Sequence, residues 1–199
     1  MSSAAESAAG AEILKLLMQG YSSSSGVHTE TILGAAAALA GESALLAAED
    51  DIPDKGWVMS EKAAQLIYDA PTSSDKTIWT LIRIVLHNQK VEANLPDPAD
   101  VAKRVAAAVG GSPFPPLSIS QEHYPHEWSP NACPNYRLQI NDIAERHGLD
   151  RTGKAMAMGF VIGFLLAKSK EALDTEVAAT LVLEVMIGVS HMIPLTKPV

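Results

Sequence analysis

A chain of 199 residues, 47% of them apolar, can bury one sizeable core, which excludes an intrinsically disordered protein. Aromatic residues are only 5%, so Ala, Leu, Ile, Val and Met must fill that core. A formal net charge of −8 with no basic cluster argues against nucleic acid as a partner, and the lone Cys133 cannot form an internal disulfide.

Residues 1–10 read as a disordered Ser/Ala leader. No Lys or Arg precedes Lys15, so the segment lacks the positive region of a signal peptide, and a cytoplasmic location is expected. A single helical domain is expected over 11–199. Its first helix runs Glu12 to Gln19 and stops at Gly20, a favoured residue just past a helix end. After a Ser-rich turn over 21–26, a long helix is expected from Val27 to Glu49. Ile32, Leu39 and Leu46 lie on one of its stripes, and Gly34, Ala37, Ala38, Gly41 and Ala44 form a small-residue face beside it.

Trp57 to Met59 reads as loop. Ser60 then caps a helix through Asp69, which must close before Pro71. Asp75 is the expected cap of Thr77 to Lys90, whose apolar face is Ile78, Leu81, Ile82, Val85 and Leu86. Asp97 followed by Pro98 opens a helix that Gly110 and Gly111 stop. Residues 112–134 form a long Pro-rich segment without a regular period. Asn135 to His147 is helical again, Asp150 or Thr152 caps the next helix, and Asp174 caps the last, which ends before Pro194. No strand pair is visible. The fold class is therefore all-α: a single-domain multi-helix bundle with Ala/Gly-rich, close-packed helices and a long Pro-rich loop.

Ala155, Gly159, Gly163 and Ala167 recur every four positions within a bulky apolar run. Such a series makes a smooth helical groove that another backbone can approach closely. The expected occupant is the helix Val27–Glu49 or the C-terminal helix, because each has its own row of small residues. Surplus Ala-rich surface suggests a homo-oligomer, most simply a twofold dimer. Gly159 and Gly163 also form a GxxxG pair, but their run is shorter than the roughly 20 residues that span a bilayer. The apolar stretch from Val177 to Leu195 carries Glu184 and His191, which hydrocarbon penalises, so no membrane span is expected.

Three features taken together resemble a group of bacterial proteins of similar length. They are Gly26-Val27-His28 with Glu30 and then Ala38-Leu39-Ala40-Gly41, the middle motif His123-Tyr124-Pro125, and the ending Ile193-Pro194-Leu195-Thr196-Lys197. The group is uncharacterised and has no activity attached to it. The resemblance implies no function and assigns no site residue.

The richest chemical cluster is Gln121 to Trp128 with Cys133 following. His123, His126 and Cys133 are candidate ligands for Zn or Fe, although Pro125 between the histidines rules out a regular helical pair. Tyr124 and Trp128 either pin this loop to the helices or offer faces to a ligand. Long irregular segments tend to be functional or disordered, and these aromatic anchors argue for order. On the last helix Thr180, Glu184, Gly188 and His191 share one narrow stripe, either a wet edge or an enclosed one. An enclosed Glu184 needs a polar partner, expected from His191, His28 or the His123/His126 loop. His28 opens the long helix after the Ser-rich turn, where a capping role is expected and no phosphate-binding loop or nucleophile elbow is present.

Two functional readings follow. The leading one is a non-enzymatic, self-associating helical protein that binds a protein partner or small molecule through the Pro-rich segment, with Tyr124, Trp128, Glu184, His191 and His28 as candidate contacts. The rival is a metalloprotein or metal-dependent enzyme joining His123, His126 and Cys133 to Glu184 or His191.

Overall fold

The computed structural model of the chain describes residues 2–24, 26–72 and 75–199, without the side chains of Ser2 and Ser3. Among these residues there are eight α-helices and no strand, as the sequence predicts. They are α1 (Ser2–Gly20), α2 (Thr29–Ala48), α3 (Glu61–Ile67), α4 (Ile78–Asn88), α5 (Pro98–Ala107), α6 (Ala132–Arg146), α7 (Arg151–Ser169) and α8 (Thr175–Ser190). Two short 3-10 turns, Gln121–His123 and Ser129–Asn131, interrupt the Pro-rich segment.

The helix starts follow side-chain chemistry. Ser60, Asp97, Asp150 and Asp174 accept amide hydrogens of their own first turns, each satisfying a donor that has no intrahelical partner. At α4 the cap is Thr77 and not Asp75: Thr77 Oγ1 accepts from the Thr80 amide at 3.0 Å, while Asp75 is held by Thr72. Trp57 forms a single bridge to Met192 and no strand.

α2 is apolar on nearly every side and sits at the centre, between α7 and α8. α1 and α4 pack on α7 from outside, α5 packs on α8, and α3 and α6 flank α2. α2 is also the one described helix long and apolar enough to cross a membrane, yet 83% of that window is buried inside the bundle, as in a core helix.

Two expectations need correction. Residues 2–10, taken as a disordered leader, are the first half of α1. Ala9, Ile13 and Leu17 lie four apart on one face of that helix and are fully buried, and Gly10 lies against the Ala157 carbonyl and Phe160 of α7. Only Met1 of that segment lies outside the described residues, as does Ser25 of the Ser-rich turn. Second, the Gly159/Gly163 groove receives neither α2 nor α8 but α4. A Cβ at Gly159 would lie 3.1 Å from the Ile78 carbonyl oxygen and from Leu81 Cβ, and one at Gly163 only 2.6 Å from Val85 Cβ. A groove takes a ridge, and α4 presents the bulky ridge Ile78, Leu81 and Val85 where α2 and α8 have grooves of their own. The Ala-rich face of α2 is packed within the chain, Ala35 to Ala38 and Ala40 being fully buried.

Candidate functional site

The segment 112–134 is draped over α2 and α8, and two glycines make its seat. At Gly34 on α2 a side chain would collide with Ser129, and at Gly188 on α8 a Cβ would fall 2.5 Å from Pro115 Cβ. The polar stripe on α8 is therefore neither a wet edge nor a bare ligand wall. At Glu184 and Gly188 it is the surface on which the Pro-rich segment lies.

Glu184 shows how that seat is fastened. It is 1% exposed, and its carboxylate accepts from Arg104 on α5 at 3.1 Å and from the Ser118 amide at 2.9 Å. Burial with a polar partner was expected; the partners are Arg104 and a loop amide, and not the histidines. Replacing Glu184 by Leu removes the acceptor of the Ser118 amide while half-exposed Arg104 turns to water, so a loss of about 1–3 kcal/mol is expected in urea unfolding. A change within about 0.5 kcal/mol would mean that the bond to the loop contributes nothing.

Where the segment crosses the bundle it walls a half-open pocket of about 510 Å³. Five prolines (Pro113, Pro115, Pro116, Pro125 and Pro130) form much of its wall, Tyr124 and Trp128 add aromatic faces, and Val185 of α8 contributes an apolar side chain. The two aromatics are locked from behind: Tyr124 O–H donates to the Leu117 carbonyl at 3.1 Å and Trp128 Nε1–H to the Phe114 carbonyl at 2.8 Å. Phe114 packs edge-on against Trp57, with ring centroids 4.6 Å apart. Both candidate aromatics are thus anchors and pocket lining at once.

The three predicted histidines of this end do meet, at the N-terminus of α2. His28 caps the helix through Nδ1, which accepts the Thr31 amide at 3.3 Å and stands 2.8 Å from Thr31 Oγ1. An Nδ1 used as acceptor puts the ring proton on Nε2, which faces Glu30 at 3.4 Å. His123 Nδ1 reaches the other oxygen of Glu30 at 3.2 Å. His126 stacks on His28 with centroids 3.5 Å apart, and its amide donates to Thr31 Oγ1 at 3.0 Å. Tyr21 O–H closes the group on Glu127 at 2.8 Å; burial first, and that carboxylate second, push the phenol well above its ordinary range.

The order hydroxyl, imidazole, carboxylate in Thr31, His28 and Glu30 looks catalytic but reads better as a clasp. Thr31 is 7% exposed, its oxygen already accepts an amide, and the imidazole nitrogen facing it is engaged as the helix cap. Beside the clasp lies a second cleft of about 490 Å³, separated from the Pro-lined pocket by His126 and Glu127, which line both.

The trio His123, His126 and Cys133 is not brought together. Cys133 is 1% exposed on α6 beside Glu42 and Arg137, where burial and the Glu42 carboxylate push its thiol well above the ordinary range. A thiol held protonated is a poor ligand and nucleophile. No group of three or more His, Cys, Asp or Glu among the described residues has an arrangement that could hold a metal ion. Glu42 pairs with Arg137 of α6 in a buried two-pronged ion pair whose residue types, without the pairing, were all the sequence offered.

His191 lies at the end of α8, away from Glu184, with Nδ1 3.0 Å from the Val58 carbonyl. It fastens the Trp57–Val58 loop to α8. Burial lowers its pKa from the ordinary 6.5, and the Val58 bond opposes that shift more weakly. The unfolded chain therefore takes up this proton first as pH falls, so stability present above 6.5 is lost below it. The melting temperature should decline on acidification below that value, and His191→Gln should flatten the decline.

No protein-family model, curated protein or solved structure matches this chain.

Proposed function

We propose that this chain is a ligand-binding helical protein, without catalytic machinery of its own, whose site is the pocket walled by residues 112–134. The observation that carries the reading is an apolar, half-open pocket whose wall is rigidly held. A Pro-rich segment that could have been a loose loop is seated on Gly34 and Gly188, bonded to Glu184, and braced by the Tyr124 and Trp128 hydrogen bonds. Those fastenings surround an apolar space of a size typical for small-molecule sites. A prearranged pocket spares a ligand the cost of ordering the loop on arrival.

Nile red, a neutral dye that brightens in apolar surroundings, tests this directly. Saturable, one-to-one brightening with the intact chain is expected, and Val185→Phe, which puts a ring into the pocket, should abolish it. Because Val185 is itself buried, the variant's melting curve is recorded alongside. Trp128→Ala, at a residue 37% exposed, provides a second variant that should weaken the dye. Absence of saturable brightening, or brightening equal in both folded variants, would overturn the reading.

A further inference from the structure

The geometry points to an organic cation as the class of ligand this pocket takes: an apolar body carrying a protonated amine or quaternary nitrogen. The inference rests on the ligand-binding reading above and follows from which polar groups the wall offers.

Beyond the Ser129 hydroxyl and the His126 ring, the wall is poor in donors. Pro113, Pro115, Pro116, Pro125 and Pro130 have no backbone N–H. The donors that the lining aromatics carry are spent: Trp128 Nε1–H on the Phe114 carbonyl and Tyr124 O–H on the Leu117 carbonyl. The His126 amide is committed to Thr31 Oγ1. No Lys or Arg lines the pocket. A carboxylate or phosphate entering this space loses its hydration and finds no charged donor to replace it, which is costly for an anion.

The same wall suits a cation. Among the described residues Glu127 is the one lining residue with a formal charge at neutral pH. Its Oε1 takes the hydroxyl of Tyr21, a residue of the second cleft, at 2.8 Å, which holds the carboxylate at the boundary that Glu127 forms between the two spaces. Trp128 and Tyr124 present aromatic faces, whose negative quadrupole attracts an ammonium group, and an indole is the best such face. Glu127 and the aromatics line one space, so an amine between them would meet both while its apolar body contacts the prolines and Val185. The chain's net charge of −8 steers cations toward the molecule and repels anions.

Competition against Nile red with three near-isosteres separates this inference from the reading beneath it. Phenethylamine, phenethyl alcohol and phenylacetate share the ring and chain and differ in charge. Phenethylamine should displace the dye at a concentration about tenfold below that of phenylacetate, with the neutral alcohol between them. Glu127→Gln, which keeps an acceptor for Tyr21, should narrow the amine's advantage and leave the alcohol unchanged. Equal or better displacement by phenylacetate, with dye binding intact and Val185-dependent, would overturn the cation assignment alone. Failure of the dye to bind at all would remove the pocket reading and the assignment with it.

Discussion

Arg137→Met is expected to cost about 3–5 kcal/mol, because it strands a buried carboxylate. Glu42 sits in the middle of α2 at 5% exposure, and the Arg137 guanidinium grips both its oxygens, Nε at 2.8 Å and Nη2 at 2.6 Å. That grip holds the guanidinium above its ordinary pKa range. Nη2 also donates to the Leu195 carbonyl at 2.7 Å, so one side chain joins α2, α6 and the segment after α8. Lys154, the other buried cation of this region, feels the Glu42 charge but donates to Asn141 at 2.8 Å, so it offsets the loss of Arg137 only in part. Urea unfolding measures the loss. The double variant Glu42→Leu, Arg137→Met should recover most of it, since removing both charges removes the desolvation problem. If the single variant unfolds at the wild-type midpoint, the pair is not the tie between these elements.

Much of the architecture is legible in the residues. Capping side chains and Gly or Pro stops mark most helix boundaries, and the apolar face of α4 predicts which of its residues are buried. α1 was hidden by composition: Ser and Ala near an N-terminus resemble a leader. The signal that reveals it is the spacing Ala9, Ile13, Leu17, one face continued back through Glu6, which is also buried. The groove on α7 was legible as a groove but not by its occupant. Matching small residues to small residues points to α2 or α8, whereas close packing fills a groove with a ridge, here Ile78, Leu81 and Val85.

The site was half legible for a different reason. His28, His123, His126, Tyr124 and Trp128 stand out as residue types, and they do gather at one end of α2 and over α8. What the sequence hides is which atoms meet. Glu184 finds its partners 80 residues upstream in Arg104 and 66 residues upstream in the backbone amide of Ser118, and a backbone amide leaves no mark in a sequence. Cys133 follows the histidines closely along the chain, but α6 begins at Ala132 and carries it to the Glu42 side. Neighbours in sequence were mistaken for neighbours in space.

Gly41 gives the test in which the packing argument predicts a reversed sign. In an ordinary helix interior Gly→Ala stabilises by about 0.5–1 kcal/mol, through the entropy that glycine loses on folding. Here α8 crosses α2 so closely that a Cβ at Gly41 would overlap the Met186 carbonyl oxygen and lie 3.0 Å from its carbon. The obstacle is helix backbone, which cannot swing aside as a side-chain end can. Gly41→Ala should therefore destabilise by about 1–3 kcal/mol, and Gly41→Val by about 3 kcal/mol or more. Relief requires α8 to shift away from α2, and α8 carries Glu184, Val185 and Gly188, which hold the Pro-rich segment in place. Folded Gly41→Ala protein should consequently bind Nile red more weakly than wild type, although Gly41 lines neither cleft. A more stable Gly41→Ala variant would mean that α2 and α8 are not in backbone contact, and the seat of the pocket would have to be placed elsewhere.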